Sequence, residues 1–200
     1  MKKIRTPLKL LSAAALIALT AALAACTMTN EKRPQPHYAY KDYPPTVLGV
    51  ATIQVIQEYA MPSRDPNVEH LMPQPLPFAV ADWARTRFKA GGTDGNLIVT
   101  IKDASLIGQD LPKTKGVEGW FTIDQSQRYD GRITVEFRID GTAGSSGSGS
   151  VQVNRGQTVP ENTSIQGRDK AWTSMEEQML TDLDANTQKM LQNRLPFLIK

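Results

Sequence analysis

Residues 132–140 read Arg-Ile-Thr-Val-Glu-Phe-Arg-Ile-Asp. Apolar Ile133, Val135, Phe137 and Ile139 alternate with polar Arg132, Thr134, Glu136 and Arg138. Successive side chains of a strand point to opposite faces, so this order puts one set on a core and the other in water. A strand that is wet on one side belongs to an antiparallel sheet whose helices all lie on the opposite side. The fold class that follows is α+β.

The flanking residues extend this reading. Asp130-Gly131 reads as a turn, preceded by a strand over Val117–Asp124 that holds Trp120, Phe121 and Ile123. Downstream, residues 141–150 (GTAGSSGSGS) read as a flexible connection to a short strand starting at Val151 and Val153, which completes a meander. Leu97–Ile107 is the most apolar strand. Leu97, Val99 and Ile101 share one face and Ile98 lies on the other, as suits a central strand; a loop over Gly108–Gly116 follows it. A first strand lies within Val47–Tyr59, where Ile53 and Val55 alternate with Thr52 and Gln54.

Two helices complete the set. Five prolines between Met61 and Pro77 exclude regular structure there. A helix is predicted from Pro77, with Val80, Trp83, Ala84 and Phe88 on one face, and Gly91-Gly92 as its stop. A long amphipathic helix is predicted over Arg168–Leu195. It carries Trp172, Met175, Met179, Leu183, Met190 and Leu191 at helical spacing, with Glu176, Glu177, Asp182 and Asp184 on a solvated face, and Pro196 ends it. The expectation is a single mostly antiparallel sheet of about five strands with two helices packed on one face. Residues 47–200 would form one domain, large enough to fold without disulfides. Cys26 is the only cysteine.

The N-terminus has a different character. Lys2, Lys3, Arg5 and Lys9 precede an apolar run from Leu10 to Ala25 broken only by Ser12 and Thr20, the layout of a secretory signal. The run is short for a spanning helix, which needs about 20 apolar residues. Removing those four cations from the 23 of the whole chain leaves 19 against 20 anions, so the basic balance belongs to the signal. No Lys/Arg cluster or aromatic-interleaved basic stripe remains, and nucleic acid is not an expected partner.

Leu23-Ala24-Ala25-Cys26 resembles the lipobox of bacterial lipoproteins. The resemblance implies removal of residues 1–25, a diacylglyceryl thioether on Cys26 and acylation of its new amine by a fatty acid such as palmitate. Each long chain would contribute on the order of 10 kcal/mol to membrane binding. Thr27 in place of Asp resembles the pattern sorted to the outer membrane, with the domain facing the periplasm. The alternative is an ordinary secreted protein cut after Ala25, with Cys26 free. Residues 26–46 read as the lipidated cysteine and a proline-rich tether, about 60 Å long if fully extended in polyproline II form. Tyr38, Tyr40 and Tyr43 within it either pack on the domain or offer a peptide to a partner's groove. The order strand, helix, strand, meander, helix resembles small periplasmic α/β lipoproteins, including the auxiliary lipoproteins of lipid-transporting ABC systems and the N-terminal domain of TolB.

Signals for chemistry are sparse. His37 lies in the tether and His70 beside Glu69, fewer ligands than a zinc site needs. Neither a G-x-S-x-G elbow nor a Walker A sequence occurs. Asp94, Asp103, Asp110, Asp124 and Asp130 mostly fall at turns, where Asp is favoured by its own backbone bonding. Asn162-Thr163-Ser164 matches a glycosylation sequon that a bacterial signal makes irrelevant. No catalytic residue, metal site or cofactor is expected. The residues singled out for interaction are Trp120 and Phe121, set among Gly116 and Gly119, and Trp172, Met175 and Met179, which form a core stripe or an adaptable groove. The apolar ending Phe197-Leu198-Ile199 either covers a sheet edge or inserts into a neighbour.

The function expected is therefore that of a non-enzymatic, outer-membrane-anchored protein that binds another envelope component. Two rivals stand beside it. A hydrophobe carrier would have an apolar cavity under the C-terminal helix, lined by Trp172, Met175, Met179 and Leu183. A cell-wall hydrolase would have two carboxylates converging in a cleft, about 5–10 Å apart.

Overall fold

The computed structural model describes residues 36–112, 125–142, 145–160 and 162–199. In chain order the elements are β1 (Thr46–Leu48), β2 (Thr52–Gln57), α1 (Leu76–Arg87), β3 (Phe88–Ala90), β4 (Asn96–Asp110), β5 (Gln125–Thr142), β6 (Ser145–Pro160) and α2 (Ile165–Arg194). The expected strand over Val117–Asp124, with Trp120 and Phe121, lies outside the described residues, as do Cys26 and the leader.

The fold is α+β. Four strands form one sheet in the order β2-β4-β5-β6, and β1 pairs with β3 in a small parallel ribbon. β2 runs parallel to β4, while β4, β5 and β6 are antiparallel neighbours. The register sets Val99 opposite Phe137 and Val135 opposite Val151, so apolar residues of three strands share one face. Leu97, Val99, Ile101, Ile133, Val135 and Ile139 are fully buried there. Lys102, Arg132, Glu136 and Arg138 lie on the other, wet side. Both helices cover the apolar face, α1 over β4 and α2 over β6.

Asp130-Gly131 is not a turn, because β5 runs straight through it. The physical requirement at Gly131 is closeness of α2: a Cβ there would sit 2.6 Å from the Met179 sulfur and 2.9 Å from the Met175 methyl. The glycine-serine stretch is likewise strand from Ser145 onward. A Cβ on Gly149 would fall 2.4 Å from the Met190 sulfur, and one on Gly147 would fall 2.7 Å from Leu195 Cδ2. These glycines let the helix lie on the sheet, a role local sequence does not distinguish from a linker.

Phe88 is also corrected. α1 stops at Arg87, and Phe88 opens β3, where its ring meets Trp83 and Phe137 edge-on at 5.4 and 6.0 Å. Pairing with β1 competes with one more helical turn and prevails, because the next residues bond across: Gly91 N–H donates to the Leu48 carbonyl and Gly92 N–H to that of Val50. The predicted loop at Gly108 is instead the end of β4. α2 starts at Ile165, capped by Ser164, whose hydroxyl accepts from the Gly167 N–H at 3.1 Å. The C-terminal tail covers β1: Leu198 is fully buried, and Ile199 bridges to Leu48.

Candidate functional site

Among the described residues, two places combine buried polar groups with partly exposed neighbours. The first joins the N-terminal segment to both helices. Tyr38 and Tyr40 stack at 5.4 Å, and both are buried. Tyr38 donates its phenol proton to Glu176 Oε1 at 2.9 Å, and Tyr40 to Asp82 Oδ2 at 3.0 Å. Lys41 pairs with Asp82 at 2.8 Å, and the His37 N–H donates to Glu177 at 2.6 Å. Deeper in, Arg87 grips Asp184 through Nε and Nη2 at 2.7 and 3.3 Å, and its Nη1 donates to the Pro44 carbonyl. Trp83 Nε1 donates to the same Asp184 at 3.0 Å. Of the two roles open to the tyrosines, packing on the domain is the one observed for Tyr38 and Tyr40, whereas Tyr43 stays exposed.

This packing overturns the solvated-face reading of α2 at two positions, the first being Asp184, which Trp83 and Arg87 hold largely buried. Glu176, placed on the solvated face by periodicity, is 1% exposed because the segment carrying Tyr38 covers it. Burial pushes its carboxyl up to about 8, against the opposing effect of the Tyr38 hydrogen bond, and the neighbouring Glu177 charge adds to the rise. Burial works in the same direction on Asp82, but the hydrogen bonds from Lys41 and Tyr40 outweigh it and hold that carboxyl below its usual range.

The second place is a cleft of about 320 Å³ at the far end of the sheet. One wall is the loop containing Asp65 and Leu71; the others come from the end of β4 (Asp110), the start of β5 (Tyr129) and the first turns of α2 (Arg168 and Trp172). The loop is fastened by Glu69, which is fully buried. Its carboxylate accepts from the Tyr59 hydroxyl, the Asn67 amide and the Leu106 N–H. Gly108 N–H donates to the Pro66 carbonyl at 2.9 Å, closing the loop onto β4. Tyr129 meets Trp172 edge-on at 5.3 Å and donates to Gln127, which in turn donates to Asp110 at 3.1 Å.

The residues singled out in the sequence separate here. Trp172 reaches the cleft, whereas Met175 and Met179, each 1% exposed, fill the space between α2 and the sheet together with fully buried Leu183. The room that hydrophobe carriage requires under the helix is occupied by these side chains. Among the aspartates, Asp110 shares the cleft with Asp65, Asp130 pairs with Arg128 at 2.8 Å, and Asp103 accepts from the Ser105 N–H. Asp94 accepts from the Gly95 N–H, and Asp124 lies outside the described residues. Among the described residues, no group of three or more His, Cys, Asp or Glu side chains is placed to hold a metal, and no helix is long and apolar enough to cross a membrane.

Sequence reasoning missed Arg168, Glu69 and Arg87. The first had a readable signal, since a cation in the first turn of a helix opposes the helix dipole. The other two sit in arginine- and proline-rich runs that read as surface, and only tertiary contact buries them.

No protein-family model matches the chain, and neither does any curated protein. The solved structures that are similar in outline include the following three. Rare lipoprotein B from Shewanella oneidensis has 13% identity and a TM-score of 0.39, over 70% of this chain and 94% of that one. A minor lipoprotein from Acinetobacter baumannii has 11% identity and a TM-score of 0.35, over 74% and 94%. A Xanthomonas campestris protein described by the family model DUF330 has 13% identity and a TM-score of 0.36, over 80% and 93%. Two of the three are named as lipoproteins, and at these values the likeness is one of coarse fold only.

Proposed function

We propose that this chain is a non-enzymatic accessory lipoprotein of the bacterial envelope. In this reading Cys26 carries the acyl anchor, the outer membrane holds it, and the domain faces the periplasm and binds an envelope protein close to the membrane surface. The observation that carries the reading is the docking of Tyr38 and Tyr40 onto α1 and α2. Only the eleven steps from Cys26 to His37 are then left to span the gap, about 34 Å if fully extended at about 3.1 Å per residue. That reach is roughly half of what a tether running to residue 46 would have. A domain on so short a lead serves a partner in or against the same membrane.

The test has two arms. Mass spectrometry of the native protein from membranes is expected to show residue 26 as the first residue, with a thioether-linked diacylglyceryl group and an acylated amine. Crosslinking in intact membranes followed by purification through the native anchor is expected to recover a discrete envelope protein. An unmodified thiol overturns the anchor, and recovery of no partner overturns the accessory role.

A further inference from the structure

The two edges of the four-stranded sheet are built differently. β2, at one edge, is 6 residues long. β6, at the other, is 16 residues long, and its register against β5 runs without a bulge from Val159 to Gly147. Among the described residues, no strand pairs with the outer side of β6. A free edge is a row of backbone donors and acceptors ready to pair with another strand, and proteins that stay apart blunt it by shortness, charge, proline or a bulge. β2 is blunted by its shortness. Between Gly147 and Val159, β6 has no proline and no bulge.

Charge is also distributed against protection of this edge. On the wet face the inner strands β4 and β5 carry Lys102, Arg128, Arg132, Glu136 and Arg138. The exposed side chains of the edge strand are Ser146, Ser148, Ser150, Gln152, Asn154 and Thr158, all uncharged. The one charged residue of β6, Arg155, lies on the helix side and is drawn back onto α2, where it donates to Gln178 at 2.7 Å and to Asp182 at 2.6 Å.

The strand is complementary to itself. Directly opposed residues of antiparallel strands share a face, so a two-fold axis between two copies of β6 has to pass through a residue. An axis at Gln152 pairs Ser145–Val159 throughout and leaves Pro160, which has no N–H to donate, outside. An axis at Val153 would bring Pro160 into the ladder, and one at Arg155 would oppose two cations. With the axis at Gln152, Val151 stands across from Val153 of the second copy, and Ser150 across from its Asn154. Arg155 then faces Gly149, which has no side chain to crowd it, and no like charges meet.

We propose that β6 pairs with β6 of a second copy of this chain, antiparallel about a two-fold axis at Gln152, joining the two four-stranded sheets into one continuous sheet with all helices on one side. The inference uses only the folded domain and stands apart from the anchor and from the envelope partner.

The experiment is disulfide trapping of the full chain in intact cells, with the parent chain, whose only cysteine is Cys26, as control. Gln152→Cys sets two thiols on directly opposed residues, with Cα atoms about 4.5–5.5 Å apart, a separation that a disulfide spans. Ser148→Cys lies about 27 Å from its own counterpart in this register. Gln152→Cys is expected to give a covalent dimer on mild oxidation, and Ser148→Cys and the parent none. Coexpressed Ser150→Cys and Asn154→Cys chains are expected to crosslink to each other, and neither to itself.

A second measurement is sedimentation of the full chain purified in detergent. Gln152→Lys and Gln152→Glu each oppose like charges at the axis and are expected to weaken the dimer about fivefold, with an equal mixture of the two restoring it. The far-ultraviolet spectrum is expected to stay unchanged, because residue 152 is exposed. Trapping of Gln152→Cys on a different protein, trapping of Ser148→Cys equal to that of Gln152→Cys, or a dimer that Gln152→Lys leaves as strong overturns the proposal.

Discussion

Tyr38 donates its phenol proton to Glu176 Oε1 at 2.9 Å, across 138 positions of sequence. This bond closes a segment that reads as linker onto the middle of the longest helix. It also makes a buried carboxyl the latch. The folded Glu176 pKa is raised to about 8 from an ordinary 4.5. The folded state therefore holds a proton that the unfolded state releases between those values. The stabilisation linked to this group is complete below pH 4.5 and is lost as pH rises through 8.

Denaturant unfolding at pH 5 and pH 9 is expected to show that loss, on the order of a few kcal/mol. Glu176→Gln removes the titration and is expected to flatten the profile, making the variant the more stable protein at pH 9. Tyr38→Phe deletes the donor and is expected to cost about 1–3 kcal/mol at neutral pH. A pH profile that Glu176→Gln leaves unchanged would refute the assignment.

Arg87 is 5% exposed and joins Asp184 to the Pro44 carbonyl. Arg87→Met removes the cation while Asp184 stays largely buried, and is expected to destabilise by about 3–5 kcal/mol. Arg87→Lys is expected to recover only part of this, because an ammonium lacks the planar fork that grips both carboxylate oxygens. The double variant Arg87→Met with Asp184→Leu is expected to be more stable than Arg87→Met alone. Equilibrium unfolding in urea measures all three.

Gly92 and Gly131 are both close-approach glycines, and they differ in what approaches. A Cβ on Gly92 would meet the Gly49 backbone at 2.5 Å, whereas one on Gly131 would meet the ends of Met175 and Met179. Methionine tips move at little cost and backbone does not. Gly92→Ala is therefore expected to lose about 1–3 kcal/mol or more and Gly131→Ala distinctly less, measured as urea midpoints. The reverse order would contradict the packing described for the β1–β3 ribbon.

Cys26→Ser removes the only thiol of the chain. Thioether formation is then impossible, and the protein is expected to leave the membrane fraction while keeping its far-ultraviolet spectrum. Continued firm attachment to washed membranes would show that something other than the acyl chains holds it.

Alternation along residues 132–140 and the apolar stripe from Trp172 to Leu191 were legible without coordinates, because a period of two or of 3.6 is a property of neighbouring residues. The α+β class and the one-sided placement of the helices follow from it, whereas the start of α2 at Ile165, ahead of the expected Arg168, is set by the Ser164 cap. Three further features were not legible. Gly131, Gly147 and Gly149 carry the same letter whether they make a turn, a linker or room for a helix, and what stands across from them decides. Phe88 fits a helix face equally well, and the partner strand β1, some forty residues earlier, claims it instead. Glu176 belongs by period to a wet face, and it is dry because Tyr38 folds back over it. The cleft follows the same logic: Arg168 and Trp172 share one helix, but Asp65 and Asp110 reach them only through the Glu69 clasp and the pairing of β4 with β5. Periodicity shows which face of an element is apolar; contacts across tens or hundreds of residues set what each face meets.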